Sequence, residues 1–449
     1  MDRELEMLTR AMEDIEQIAA DFELDFFPMR FELVPANIMY TYGAYGMPTR
    51  FAHWSFGKAY YKLKTQYDYN LNRIYELVVN TNPCYAFLLE GNSLVQNKLV
   101  MAHVLGHSDF FKNNAWFSQT NRKIMETMAV HSARIKEYEE KYGAKEVEIY
   151  LDAVLAIQEH VDYSLYDPGR KDGGGERRRS AEPAEPYQDL LDLGQKRPGS
   201  RTEIRPKGAG RQQKDLLLFL MEHGPKLEDW QRDLLSMIRE EMLYFWPQLQ
   251  TKIINEGWAT YWHTKIMRTL DLDEAESLEY ARLTAQVLAT SDYQINPYHV
   301  GYSVFQDLEQ RKGTEAIFEA RAMDNDLSFL RNYLTRELCE KLNLYLYQKI
   351  GHQWMVAETD WPKVRDGLIR SLDNGGYPYI VVEDGDYRNG ELYLRHCYEG
   401  WELDIPELEK TLPSVFLLWG RPVHLETIIN DKSLLFTYDG KRTERRLMD

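Results

Sequence analysis

Cysteine is scarce: Cys84, Cys339 and Cys397 are the only three in 449 residues. An odd, scattered set excludes a disulfide framework, and with no Cys-x-x-Cys pair it excludes a cysteine-built zinc site; the expectation is reduced thiols in the cytoplasm. No run of about 18 apolar residues occurs, so no membrane-spanning helix is expected. The N-terminal MDRELEMLTRAMEDIEQ is charged and amphipathic and lacks the apolar core of a secretory signal. Basic charge is also in short supply, with 54 Lys and Arg against 71 Asp and Glu and a net charge of -17. So acidic a surface argues against a general nucleic-acid binder and against adhesion to anionic membranes. No internal repeat is visible.

What is abundant is apolar and aromatic mass. Ten Trp, 30 Tyr and 17 Phe are ample for large packed cores, and the length fits two or three domains. The patterning predicts a mainly α protein with a small β ribbon, a zincin-like helical core, and a C-terminal α+β domain. Residues 1–166 form an N-terminal helical part. Residues 167–214, rich in Gly, Pro and charge, read as a flexible insertion. Residues 215–326 return to the same helical core, and 327–449 form the α+β domain.

Within this frame, 31–62 is aromatic-rich, punctuated by Gly43, Gly46 and Pro48, and reads as loop-dominated. Ile74–Val79 and Cys84–Leu89 are strand-length apolar runs around an Asn-Thr-Asn-Pro turn. Helices are expected over 2–22, 93–111, 118–141 and 145–161, and another from 227 that Pro247 interrupts. Toward the C-terminus a hairpin covers YPYIVVEDGDYRNGELYLRHC. A short helix near Pro406–Leu412 follows, then strand-like SVFLLWG and SLLFTYDG.

One spacing carries chemistry. His103 and His107 stand four apart, so on a helix both imidazoles reach one ion. Zinc hydrolases of the HExxH type use this spacing with the Glu as general base. Here Val104 takes that position. Two carboxylates compete as third ligand: Glu126, 19 positions after His107, and Glu256 in Asn-Glu-Gly-Trp-Ala. His263, seven residues past Glu256, shares its face as a ligand, a supporting partner or a proton donor. Two imidazoles and a carboxylate suit zinc. Glu90, Asp109 and Glu126 are the candidates for a relocated base; Asp109, two residues past His107, points away on a helix. The two strands before the histidine helix match the place where zincins bind an extended peptide. The plainer reading is a packed core in which the histidines bind nothing and Trp258, Tyr261 and Trp262 are filling. His131, His160, His223, His352, His396 and His424 show no partner pattern.

Long blocks carry a resemblance. They are YGMPTRFAHWSFGKAY, IYELVVNTNPCYAFLLEGN, LVMAHVLGHSDFFKNN, LEDWQRDLLSMIREEMLYFWPQLQTKIINEGWATYWH and NPYHVGYSVFQDLEQR. Together they resemble the stage V sporulation protein R family over nearly the whole chain. The resemblance implies a role in building the peptidoglycan cortex of the spore, or a broader cell-envelope or stress response. It implies a complex with a serine protein kinase and a von Willebrand-type protein. It supplies no settled catalytic residues, so only His103, His107 and Asn255-Glu256 carry over as motif positions. Three functions compete: a regulatory or scaffolding protein of cortex formation whose zincin-like centre binds metal structurally or not at all, a metal-dependent peptidase or amidase with a relocated base, or a partner-binding module in which the histidine pair is core.

Overall fold

Ser93 starts the helix that matters most. Its hydroxyl accepts from the Gln96 backbone N–H while the Gln96 side chain accepts from the Ser93 N–H, so two orphan donors of the first turn are satisfied. The helix then runs Leu94–Asn113 and is buried continuously from Val100 to Phe111. A helix apolar on most faces belongs in the middle of a core. The computed structural model describes residues 2–68, 76–166, 213–290, 295–350 and 353–448. The expected insertion over 167–214, apart from Gln213 and Lys214, lies outside the described residues, as does His352.

The second central helix, Lys252–Thr269, begins where the Asp326 carboxylate accepts the backbone N–H groups of Ile253 and Ile254 at 2.9 and 2.8 Å. Negative charge at a helix N-terminus is favourable. This helix packs between the histidine helix and helix Pro297–Lys312. Glycine permits both contacts. A Cβ at Gly106 would lie 2.7 Å from the Ala259 backbone, and one at Gly257 would lie 2.4 Å from that of Gly301. The surrounding core holds Ile15, Val104, Leu105, Trp258, Phe305 and Phe329. Fully burying each large side chain contributes roughly 1.5–3 kcal/mol. Leu330, Leu334, Leu338, Val364 and Leu368 join this same core.

Strands β1 (Met29–Val34), β2 (Glu76–Val79) and β3 (Cys84–Leu89) form a sheet in the order β1-β3-β2. β1 runs parallel and β2 antiparallel to β3. β4 (Leu346–Ile350) and β5 (Gln353–Glu358) pair antiparallel as a small ribbon. β6 (Ile380–Tyr387), β7 (Glu391–His396), β8 (Val423–Ile429), β9 (Lys432–Tyr438) and β10 (Thr443–Leu447) form a sheet in the order β10-β9-β8-β7-β6. β7 and β8 are parallel, which demands a crossover, and helix Ile405–Trp419 makes it. This sheet does not stand alone: Leu394, Leu418 and Phe436 share a core with Leu151, Leu217, Leu234 and Trp246.

The protein is thus mostly helical with small sheets and a sheet-rich C-terminal region. Three local expectations need correction. Residues 31–62 hold β1 and two helices, Ala36–Tyr45 and Trp54–Asp68, rather than mainly loop. Pro247 lies inside helix Asp229–Gln250, and the chain breaks only at Thr251. SVFLLWG is the end of the crossover helix, because Val415, Leu418 and Trp419 continue the buried face begun by Leu408 and Leu412. A short apolar run has no periodicity that separates strand from helix. Among the described residues, no helix is long and apolar enough to cross a membrane.

Candidate metal centre

His103 and His107 project from one face of their helix, and the close approach of Gly106 to Ala259 brings Glu256 opposite them. Glu256 Oε2 lies 3.5 Å from His103 Nε2 and 3.4 Å from His107 Nε2. Glu76, the first residue of edge strand β2, places Oε1 3.4 Å from His103 Nε2. One ligand atom from each of these four residues falls within 4.8 Å of all the others. The short distances are long for hydrogen bonds. They match two donors sharing a tetrahedral ion: bonds of about 2.0–2.2 Å set ligand atoms roughly 3.3–3.5 Å apart. His103 Nε2 and Glu256 Oε2 are buried without a hydrogen-bond partner among the described residues. Buried polar atoms seldom go unpaired, and an ion between them removes the anomaly.

The other ring nitrogens are held. His107 Nδ1 donates to Asn255 Oδ1 at 2.9 Å, which turns Nε2 toward the site. His103 Nδ1 lies 2.8 Å from His263 Nδ1. Burial, then the neighbouring His103 and His107, holds His263 well below its usual pKa, so its ring is neutral beside His103. Tyr298 stacks on His103 with ring centroids 5.9 Å apart. Burial and the carboxylates of Glu256 and Glu76 push its phenol far above the usual range, so it keeps its proton.

Charge is shared across the cluster. Burial opposes a charged His107, yet the Glu256 carboxylate, helped by Glu76 and Asn255, raises it to about 9. Burial likewise opposes a charged Glu256, but the two imidazoles hold it well below the usual carboxylate range. The four groups stand in the wall of a cavity of about 700 Å3, whose apolar side includes Leu77, Val78, Leu99, Val100 and Leu283.

Of the residues singled out by spacing, His103, His107 and Glu256 come together. Glu126 does not: it is exposed in the first turn of helix Ile124–Tyr142, outside the group of four. That helix buries Ile124 and Met128 in a separate core with Val34, Met39 and Tyr244. His263 supports His103 from behind. Asp109 is buried on the far face, accepting from the Asp25 N–H and from Trp258 Nε1, each at 2.8 Å. Glu90 is exposed just beyond β3 and does not line the cavity. Glu76 was missed. The only signal for it was a carboxylate inside a strand-length apolar run beside the histidine helix. Tyr298 had no signal beyond its place in a quoted block.

The family described as "SpoVR like protein" matches residues 2–377, and the "SpoVR-like C-terminal domain" matches 378–430. The chain is similar to the uncharacterized protein YcgB of Escherichia coli (strain K12), 33% identical over 329 residues, 69% of this chain. It spans 64% of that relative's length. No solved structure matches.

Proposed function

This chain belongs to the SpoVR family, a sporulation-associated family, and from that premise we propose that it is a metal-dependent hydrolase of peptide or peptidoglycan-derived amide bonds in spore cortex formation. One observation carries the reading: Nε2 of His103 and of His107 lie 3.5 and 3.4 Å from Glu256 Oε2, three donors in the wall of a cavity of about 700 Å3. A structural site is closed, whereas a catalytic one keeps an open position beside a substrate-sized space. His103, His107 and Glu256 are the ligands, in a zincin-like arrangement, and zinc suits the set. The ion supplies a Lewis acid for the scissile carbonyl.

The chain's own residues do the rest. Glu76 replaces the base that Val104 does not provide and takes the proton of the attacking water. Asn255 and His263 hold the imidazoles in the tautomers that present Nε2. Tyr298 keeps Glu256 oriented.

The test combines elemental analysis with hydrolysis of peptide and muropeptide libraries read by mass spectrometry. Glu76→Gln should retain one equivalent of metal and lose about 10² to 10⁴ in rate. If that variant loses its metal instead, Glu76 is a ligand and the hydrolytic assignment fails. Val104 favours a second reading, a regulatory scaffold that binds metal and works with a serine protein kinase and a von Willebrand-type protein. Stoichiometric metal with no turnover, and co-purification with those two partners that depends on His103, would select it.

A further inference from the structure

A second cleft, of about 290 Å3, opens between helix Trp361–Leu372 and the β6–β7 edge, and it shares no lining residue with the metal cavity. Its aromatic lining is Tyr377, Tyr379 and Trp401, all exposed, Trp401 to 60%. Three carboxylates, Asp373, Glu399 and Glu402, line it against the single guanidinium of Arg370. Ring faces with surrounding carboxylates recognise organic cations. Tyr379 already serves one: Lys214 Nζ lies 4.8 Å from its ring centroid.

An independent observation asks for a hydrogen-bond donor. Asn374 lines the cleft and is only 8% exposed. Its Nδ2 donates to the carbonyls of Tyr377 and Pro378 at 3.0 and 3.3 Å. That fixes the amide and leaves Oδ1 buried with no partner among the described residues. A buried acceptor is costly to leave unpaired. An anion would be repelled.

We propose that this cleft binds a small organic ammonium group, with the cation against Tyr377, Tyr379 and Trp401 and an N–H directed to Asn374 Oδ1. The chemistry is shared by free polyamines and by a lysine side chain. Two probes separate those sources: spermidine and N-acetyl-lysine methylamide.

Calorimetric titration of the full chain in about 0.15 M salt, which screens non-specific attraction, should show one saturable site for at least one probe. Trp401→Ala should weaken it about two- to fivefold, the range of an exposed cation–π contact. Glu399→Gln with Glu402→Gln should weaken it further. The thermal midpoint should hold in Trp401→Ala, since the ring is largely exposed. Glu137→Gln with Glu140→Gln, two exposed acids on helix Ile124–Tyr142, should leave binding unchanged. No saturable binding overturns the proposal. So does an equal loss in the Glu137/Glu140 variant, which marks non-specific attraction to an acidic chain, and so does tighter binding of glucose than of either amine.

Discussion

In the C-terminal sheet, His424 has both ring nitrogens engaged, Nδ1 with Thr437 Oγ1 at 2.8 Å and Nε2 with Glu391 Oε2 at 2.7 Å. In the helical core, His103 has a partner at Nδ1 alone, and its buried Nε2 faces two carboxylates at 3.4 and 3.5 Å. Both histidines are buried beside glutamate. The sheet completes its histidine's hydrogen bonds within the protein, and the helix pair leaves a gap of the size an ion fills. Burial and a nearby carboxylate therefore do not distinguish a ligand from a packed histidine. A second imidazole and two carboxylates converging on the unfilled nitrogen do.

The contrast breaks most sharply by substitution. His103→Ala and His107→Ala should each abolish stoichiometric zinc by elemental analysis, while His424→Gln should leave the metal content at wild-type level. Metal lost in His424→Gln and retained in His103→Ala and His107→Ala would mean that the sheet, not the helix pair, holds the ion. Asn255→Ala sharpens the comparison. With the His107 tautomer no longer held, zinc affinity measured by chelator competition should fall about 10- to 100-fold. An unchanged affinity would leave Asn255 a packing residue only.

Packing gives the next effect. Gly257→Ala puts a Cβ 2.4 Å from the Gly301 backbone, and such overpacking should cost about 1–3 kcal/mol by denaturant unfolding. It should also loosen metal binding, because the same helix carries Glu256. Gly57→Ala, in helix Trp54–Asp68 with nothing within 4 Å of the added Cβ, should do neither. Similar losses in both variants would remove the close-approach argument.

The smallest effect is a pH slope. Burial lowers the pKa of His396, whose Nδ1 meets Thr427 Oγ1 at 2.9 Å. The unfolded chain takes up this proton as pH falls below about 6.5, and the folded chain resists it. The unfolded state then binds more protons, so stability falls with acidification below that point and is unaffected above it. His396→Gln should flatten the slope of the thermal midpoint on the acid side of pH 6.5. An unchanged slope there would assign the acid sensitivity to other groups.

Much of the fold was legible where periodicity was long. The helix carrying His103 and His107 was expected over 93–111 and runs Leu94–Asn113, and the β6–β7 hairpin lies where its turn residues mark it. Legibility failed where a run was short or its partner distant. SVFLLWG is as apolar as a strand, and only its packing beside Leu408 and Leu412 makes it helix. In 31–62, glycine and proline read as punctuation, but Met39 and Tyr40 are buried and hold a helix there.

The sequence by itself determined that two imidazoles share a helical face, because a four-residue spacing on an α-helix leaves no other outcome. It also determined that no acid sits at Val104, that no apolar run reaches the length of a membrane-spanning helix, and that the long motif blocks mark the family. Tertiary structure alone decided which carboxylates meet the histidines. Glu126 is 19 residues from His107 and lies outside the site; Glu256 is 149 away and Glu76 is 27 before His103, and both lie within it. The reason is physical. Distance along a chain constrains contact only within one element, and between elements the contact is set by what the core can pack. Here Gly106 lets Ala259 approach, Gly257 lets Gly301 approach, and Asp326 anchors the start of the intervening helix.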